Sequence, residues 1–295
     1  MINYYETVKA HPEIFNQLTY KELLFAKYNC PSEKRLLDKW TQHNFFINIV
    51  VGTATIHTPD RSWTLNSGDS IMIKKGAHIM EKNPGEILCI MSFFVPESYL
   101  RPFLRENVQL LRIEHSAIVA NDLVIPLEKN EVMKAFYESM FPYFNTERKP
   151  PEEVLELKFR ELLFNVIANP ANCELIAYLQ TLLADHDYLQ QTMEANYLFN
   201  LQLEDYARLC NRSLSSFKRD FQLTYGVPPG HWLLEKKLTR AKHQLMITDK
   251  SINDISFECG FESNTHFSRA FKNLFGASPL QFRKQAIGVH QTSKE

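Results

Sequence analysis

The chain has 295 residues, a hydrophobic fraction of 44% and a formal net charge of −1, which indicate a folded protein with room for two domains. Its five cysteines are scattered without a C-x-x-C pair, which argues against a zinc site and favours a reducing compartment. The sequence contains neither a long charge-free apolar run nor a secretory signal, so we expect a cytoplasmic protein without a membrane segment.

Residues 1–125 are predicted to form a β-rich domain. From Phe45 onward, short β-branched runs such as FFINIVV, TATIHT and SIMIKK are separated by turn residues. Short strands with turns at this spacing are typical of a β-sandwich or a small barrel. Its interior would either be filled by apolar side chains or hold a small ligand. The inward-facing candidates are Phe45, Ile47, Ile49, Trp63, Ile71 and Ile73.

Two histidines in this region, His57 and His78, raise the question of a metal-dependent enzyme. A redox metal needs several converging nitrogen and oxygen ligands, whereas these histidines stand alone and no H-x-H motif occurs. The sequence also lacks a nucleophile elbow, a P-loop and an H-E-x-x-H motif. We therefore predict no metal site, no cofactor and no catalytic residue.

Residues 126–185 are predicted to be helical. One helix follows Asn130, and Pro142 is expected to end or kink it. A second helix begins at Pro151, because proline suits the first helical position. These helices can pack against the strand-rich half or against a second copy of the chain, and the sequence leaves both readings open.

Residues 187–290 contain one pattern twice. In the second copy, Ile252, Ile255 and Phe257 predict a first helix. Gly260 then predicts a turn with positive φ, and Ser263 caps a second helix. The apolar face of that second helix is predicted to consist of Phe267, Ala270, Phe271 and Leu274.

The first copy lies 50 residues earlier, so that Arg219 and Phe221 correspond to Arg269 and Phe271. Before the turn the displacement is 49, which makes one turn a residue longer than the other. Between the copies, a run of about eighteen residues that includes HWLLEKKLTRAKHQLM reads as one long helix of about 27 Å, at about 1.5 Å per residue. A rod of that length can hold the two copies about one DNA turn, ~34 Å, apart.

The second helix of each copy also has a polar face. Guanidinium, ammonium and hydroxyl groups can contact base edges in a major groove, and an apolar side chain can touch a thymine methyl. In the first copy, the predicted base contacts are Leu214, Ser215, Lys218 and Arg219. In the second copy, they are Asn264, Thr265, Ser268 and Arg269. The predicted phosphate contacts, which position without specifying, are Arg212, Arg240, Lys242 and Lys272.

The pattern I-x-x-I-S-x-x-x-G-F-x-S-x-x-x-F-S-R-x-F-K-x-x-F-G-x-S-P, from Ile252 to Pro279, resembles the AraC/XylS family of bacterial transcription regulators. The run W-x-L-x-x-G-D-x-x-x-I-x-x-G from Trp63 resembles the cupin-like sensor half of many members. A weaker resemblance, in LKFRELLFNVI and LSSFKRDF, is to the type III secretion activator subgroup. The chain departs from the family pattern at Asn211, which replaces a turn glycine, and at Lys237, which replaces an arginine.

The resemblance implies an α+β fold with three regions. Residues 1–125 would form a cupin-like β-barrel or sandwich with flanking helices, and residues 126–185 a helical dimerisation or linker region. Residues 187–290 would form an all-α DNA-binding domain, with two helix-turn-helix units joined by a long helix. The net charge alone does not indicate nucleic-acid binding, although basic residues outnumber acidic ones from Asp187 onward.

The implied function is a sequence-specific transcription regulator, expected to be an activator, that reads two successive major-groove segments of promoter DNA. RNA polymerase, a small-molecule or protein effector and a second copy of the chain are the expected partners. One alternative is a regulator gated by a protein antagonist rather than a small ligand. The other is a cupin enzyme fused to a DNA-binding module.

Overall fold

The computed structural model describes residues 1–29, 35–111, 122–145, 149–183 and 189–292, and the side chains of 286–292 are excluded from this description. The chain divides into two compact units, Met1–Asp187 and Tyr188–Glu295. The first unit combines β-sheets with helices, and the second is helical, so the predicted α+β fold class is confirmed.

The first unit contains a five-stranded and a six-stranded sheet, with strand orders β1-β4-β9-β6-β7 and β11-β8-β5-β10-β3-β2. All pairs are antiparallel except β1 with β4. The strands are β1 Ile2–Asn3, β2 Asn16–Tyr20, β3 Leu23–Asn29, β4 Leu36–Thr41, β5 Asn44–Val51, β6 Thr53–His57, β7 Ser62–Asn66, β8 Ser70–Ile73, β9 Gly76–Lys82, β10 Cys89–Val95 and β11 Val124–Leu127.

Both sheets contribute to one apolar core, which includes Tyr4, Ile56, Met80 and Phe94. The six residues predicted to face inward all belong to this core and are at most 9% exposed. Side chains therefore fill this interior, as they do in most small barrels. Four strands, β1 to β4, precede Phe45 and had no counterpart in the sequence pattern.

In its described residues, the first unit contains five helices, with two short 3₁₀ turns at 108–110 and 170–172. They are α1 Tyr4–Ala10, α2 Glu97–Glu106, α3 Glu131–Asn145, α4 Glu152–Ile167 and α5 Cys173–Thr181. The helix α3 runs through Pro142 to Asn145, so Pro142 does not end it, and the alternative that Pro142 kinks it stays a prediction. Since Pro142 lies in the last turn, only the end of the helix loses a backbone donor.

Helices α3 and α4 pack on the six-stranded sheet. The ring of Phe159 lies 5.9 Å from that of Phe25, and the ring of Phe136 lies 5.9 Å from that of Phe93. Strand β10 is consequently buried along its whole length, which explains its unbroken apolar run. Packing within the unit thus occurs, and the dimerisation role stays a prediction.

Within the described ranges, no single helix is long and apolar enough to cross a membrane. The pair 152–167 and 170–181, bent by 85°, meets the length and composition requirement only when taken together.

The second unit contains seven helices in its described part: α6 Leu189–Asn196, α7 Leu203–Leu209, α8 Leu214–Tyr225, α9 Pro229–Ile247, α10 Ile252–Glu258, α11 Asn264–Phe275 and α12 Pro279–Thr292. It has two apolar cores. One surrounds Phe217 and Phe221, and the other surrounds Phe267 and Phe271. The long helix α9 serves both, because Trp232 lies in the first core while Leu238, Ala241 and Leu245 lie in the second.

Candidate nucleic-acid interface

The helices α8 and α11 are built in the same way. Each begins after a serine, Ser213 or Ser263, whose hydroxyl accepts a backbone N–H of the first turn. Each ends at a glycine, Gly226 or Gly276, with φ of 73° and 80°. A serine cap and a left-handed glycine fix where a helix starts and stops, so both boundaries follow from local sequence.

The turn before each helix also requires a left-handed residue. Gly260 has φ of 76° and Asn211 has φ of 55°, as expected from the glycine and from its asparagine replacement. The two turns differ in their surroundings, because a Cβ at Gly260 would clash with the carbonyl oxygen of Leu198. Only glycine therefore fits there without a shift of the backbone.

Two residues that were expected on buried apolar faces, Phe257 and Leu274, are instead exposed to solvent. Phe257 is 54% exposed, because Ile255 and the fully buried Ser256 occupy the inward side of α10. Leu274 is 43% exposed and lines a groove, whereas its neighbour Phe275 packs against Phe271 with ring centres 4.7 Å apart. Apolar spacing alone therefore assigned the wrong residue at the ends of both helices.

Most residues predicted to contact bases lie on the solvent side of their helices. Ser215, Lys218 and Arg219 are exposed on α8, and Thr265 and Arg269 are exposed on α11. The partly buried members of the set are Leu214, Asn264 and Ser268. Each helix thus shows hydrogen-bonding groups on the side opposite its phenylalanines.

Leu214 and Asn264 occupy the first position of their helices. Leu214 packs against the first core, which leaves less of its side chain for a thymine methyl. The Oδ1 atom of Asn264 is buried and has no hydrogen-bond donor among the described residues. An acceptor without a donor in the free protein is suited to a ligand that brings one.

The first copy of the helix-turn-helix pattern contains a charge cluster that was not predicted from the sequence. Asp220 accepts hydrogen bonds from Arg212 at 3.0 Å and from Arg219 at 3.2 Å. Partial desolvation raises the pKa of the Asp220 carboxyl, but the two hydrogen bonds outweigh it, and the pKa lies below its usual value. The adjacency of Arg219 and Asp220 was visible in the sequence, whereas the approach of Arg212 across the turn depends on the fold.

The second copy has no such cluster, because Ala270 stands where the first copy has Asp220. Among the described residues, no carboxylate forms an ion pair with Arg269. Arg269 instead borders a groove of about 320 Å³ between α9 and α11, together with His231, His266 and Asn273. These three polar neighbours were not identified from the sequence.

The predicted phosphate contacts lie in different environments. Lys272 is exposed in the last turn of α11. Lys242 lies over the rings of Phe275 and Phe282, at 4.9 and 5.6 Å from their centres. Arg212 is held by Asp220, and Arg240 lies close enough to Cys259 for its charge to act on the thiol, whose pKa burial raises to about 11.

Lys237, which departs from the family pattern, supports the turn of the second copy. Its Nζ donates to the carbonyl oxygen of Gly260 at 3.0 Å. Desolvation lowers the pKa of this ammonium group, because most of the side chain is buried. A lysine thus supports the turn of the second copy through a single hydrogen bond, without the fork that an arginine would supply.

The histidines of the first unit are separate from one another. The Nε2 atom of His57 lies 2.7 Å from Oε2 of Glu81, within hydrogen-bond distance. His78 is buried and has a pKa of about 3, lowered by desolvation and by nearby Lys39. No group of three or more metal-ligating side chains occurs in the part of the chain that the structure describes. A separate groove of about 470 Å³ lies between the ends of β5 and β8 and the helix α3, and Tyr137 and Phe141 line it.

Comparisons with known proteins give two family matches. The ExsA N-terminal regulatory domain matches residues 44–178, and a helix-turn-helix domain matches residues 206–285. The chain is 24% identical to the HTH-type transcriptional regulator ExsA of Pseudomonas aeruginosa, over 90% of this chain and 93% of the relative. It is 27% identical to the virulence regulon transcriptional activator VirF of Yersinia enterocolitica, over 82% and 89%.

Among solved structures, a transcriptional regulator with an AraC-type DNA-binding domain from Chromobacterium violaceum is 36% identical. That match covers 33% of this chain and 88% of the other, with a TM-score of 0.31. The relatives with curated names are transcription regulators rather than enzymes.

Proposed function

Because the chain belongs to the AraC/XylS family of bacterial transcription regulators, we propose that it binds promoter DNA through two successive major-groove segments. In this proposal, α8 enters one segment and α11 enters the next. The main support for this proposal is that the two helices are built alike. Each has a serine at its N-cap, a glycine at its C-cap and a polar outer face. Such a helix can be held by its apolar side while its polar side reads base edges.

The spacing of the two helices supports this arrangement. The helix α9 has 19 residues and would span about 28 Å at about 1.5 Å per residue. It contributes side chains to both cores, so each reading helix is fixed to one part of the same rod. Half-sites about one turn of DNA apart, ~34 Å, would then be read from one face of the duplex.

The roles of the individual residues follow from their exposure. Arg219 and Arg269 are assigned to guanine edges, to which a guanidinium can donate two hydrogen bonds. The base-contact role extends to the remaining members of the two sets, Leu214, Ser215, Lys218, Asn264, Thr265 and Ser268. The phosphate role is assigned to Lys272, Lys242, Arg240 and Arg212, of which Lys272 is the most exposed.

The experiment that tests this function begins with selection of a binding site from random DNA by the full-length protein. Each half of the selected site is then changed separately, and affinity is measured at fixed salt. Loss of specific binding on changing either half supports two-segment reading. Leu223→Ala, at a 79% exposed position of α8 outside the base-contact set, is the matched control and should leave affinity unchanged. A site with only one essential half would contradict the proposal.

The first unit is proposed to receive the signal. Residues 44–178 match a domain described as regulatory, and the groove of about 470 Å³ beside α3 has a size that suits a small ligand. The core between the sheets is filled, which favours a surface site over an interior one. A thermal-shift screen separates a small effector from a protein antagonist, because a ligand at about 100 times its Kd adds about 2.7 kcal/mol of stability.

The remaining partners are part of the same proposal. In this proposal, the chain is an activator that contacts RNA polymerase at a promoter. It therefore acts in the cytoplasm, where promoter DNA and RNA polymerase are found. A second copy of the chain would bind through the helices of residues 126–185. Among their exposed apolar side chains, Val132 is 58% exposed and Leu157 is 65% exposed. Leu157→Glu would test that contact, since a charge there should lower the association constant measured by sedimentation without unfolding the chain.

A further inference from the structure

The loop between α6 and α7 contacts the turn of the second helix-turn-helix copy. This loop covers residues 197–202 and belongs to the first copy, because Tyr197 and Leu201 pack against the first core. The turn around Gly260 belongs to the second copy, because Cys259 and Phe261 lie in the second core. A contact between these segments therefore joins the two copies at a place other than α9.

Two interactions make up this contact: Leu198 with Gly260, and Asn200 with Glu262. Lys237 of α9 supports the same turn by a hydrogen bond to Gly260, and we name the three interactions together the clamp. The carbonyl oxygen of Leu198 lies so close to Gly260 that a Cβ there would clash. Asn200 donates from Nδ2 to Oε1 of Glu262 at 2.6 Å. Lys237 donates to the carbonyl oxygen of Gly260 at 3.0 Å from the middle of α9. The clamp thus combines close backbone packing with two hydrogen bonds.

The way in which each copy is attached to α9 determines what the clamp does. Each copy is fixed to a different part of α9, and a single helix can bend and twist between two such attachments. A second contact away from the helix axis resists both movements, because it closes a loop through the two copies and the rod. The turn of the first copy is built differently, since its left-handed residue is Asn211, which carries a side chain where Gly260 has none.

We propose that Leu198, Asn200, Lys237, Gly260 and Glu262 are positioning residues that fix the spacing and orientation of α8 and α11, and so determine which half-site spacing the protein accepts. This inference rests on the proposed function for its consequence on DNA. Its mechanical part, the fixed distance between the two helices, holds in the free protein. Rigidity of this kind contributes to affinity by removing the ordering that binding would otherwise require.

The consequence for DNA is a narrow tolerance of spacing. One base pair inserted between the half-sites rotates one of them by about 34° and moves it by about 3.4 Å. A rigid pair of helices cannot follow this change without strain in the protein or the duplex. A protein with a loosened clamp would follow it more easily, and would lose some affinity for the native spacing in return.

The test uses the full-length protein and two sets of substitutions in the clamp, one mild and one severe. Asn200→Ala with Glu262→Ala removes one hydrogen bond at the surface, and Gly260→Ala removes the close packing. Glu258→Ala is the matched control, because it deletes a carboxylate of α10 that bonds to Lys250 and not to the loop. The ratio of affinities for native spacing and for one inserted base pair should fall about twofold in the double variant and about fivefold in Gly260→Ala, as lost pre-organisation predicts.

A second readout needs no DNA. Spin labels on genetically encoded side chains at Leu223 and Asn273, equivalent exposed positions of α8 and α11, report the distance between the helices. The distance distribution should be narrow in the parent and in Glu258→Ala, and broader in both clamp variants. Because Gly260→Ala can unfold the second copy, the double variant decides the outcome if hydrogen exchange shows such unfolding.

The outcomes separate the two proposals. Unchanged label distances or an unchanged spacing profile in the folded clamp variants would overturn the clamp, whatever the protein binds. A parent protein without a specific site would contradict the proposed function. In that case, the role in spacing would be overturned with it, while a broader label distribution would still establish the mechanical connection.

Discussion

The two helix-turn-helix copies share a skeleton but differ in their charges. Ser213 and Ser263 cap the reading helices, and two phenylalanines at i and i+4 hold each helix to its core. In the first copy Asp220 binds Arg212 and Arg219, whereas alanine occupies that position in the second copy. The duplicated part is therefore the part that fixes helix position, and the part that differs is the environment of Arg219 and of its counterpart Arg269.

This difference indicates unequal roles on DNA. In the free protein, the Nε–H of Arg219 is bonded to Asp220, so Arg219 must either keep the geometry of that bond or break it when it meets a guanine. Arg269 has no carboxylate to leave among the described residues. The pair is exposed to solvent and therefore weak, so the cost is small but has a definite sign. We expect the second copy to provide the larger share of specificity per arginine.

The copies also differ at their turns. Asn211 adopts φ of 55° in the first copy, while Gly260 combines φ of 76° with close backbone packing in the second. A left-handed asparagine is tolerated in many proteins, but a side chain in contact with another backbone is not. The second turn is thus constrained by its neighbour as well as by its own backbone.

The largest expected effect comes from emptying either core. Phe221→Ala and Phe271→Ala should each destabilise by about 3–5 kcal/mol, because a fully buried ring is replaced by a cavity. Hydrogen exchange with mass spectrometry should show faster exchange in residues 203–225 for the first variant and in residues 252–275 for the second. Equal acceleration in both segments for either variant would mean that the two cores act as one.

The next effect concerns the turns. Gly260→Ala should destabilise the second copy by about 2–3 kcal/mol, since strain at positive φ is added to a steric clash. Asn211→Ala should cost about 1 kcal/mol, from the backbone conformation alone. Asn211→Gly serves as the control and should be neutral or slightly stabilising. The same exchange measurement checks all three, and equal costs at the two turns would remove the distinction between them.

The third effect is on DNA. Arg269→Ala should weaken the specific site by about 1–3 kcal/mol and relax discrimination at one base pair. Arg219→Ala should weaken it by less, because Asp220 competes for Arg219 in the free protein. Binding curves on the native site and on four single-base variants measure both quantities. A uniform loss on every sequence would assign the arginine to a phosphate instead.

The sequence predicted the local features of this domain correctly and failed where distant segments meet. Ser263, Gly276 and Asn211 each act through their own backbone, so spacing and residue type were sufficient. The packing of Leu198 on Gly260 joins segments about 60 residues apart, which no periodicity encodes. Phe257 was misplaced because seven residues of α10 give too few turns to define an apolar face by spacing.

In the first unit, too, local patterns were predicted correctly and other features were missed. Five strands from Phe45 onward, β5 to β8 and β10, were recognised by their alternation and turns, and the inward residues were correctly chosen, whereas β9 and β11 were missed. Strands before Phe45 were missed, because β1 has only two residues and β3 is buried along most of its length. A strand covered on both faces has no alternation to detect.

The smallest effect is a dependence on pH that only the first copy should show. The pKa of Asp220 is lowered in the folded protein, so its stabilising contribution is present above the unfolded value of about 3.9 and is lost as pH falls through the folded value. Exchange rates in α8 should therefore rise below about pH 4 more than in α11. Asp220→Asn should abolish this excess, and an excess that persisted would assign the acid sensitivity to another group.

The account is tested most directly by hydroxyl-radical footprinting of the full-length protein on its selected site, combined with methylation interference at guanines. The account predicts two protected segments about 10 base pairs apart on one face of the duplex. Interference at one segment should depend on Arg219 and at the other on Arg269. A single protected segment, or two segments on opposite faces of the DNA, would contradict it.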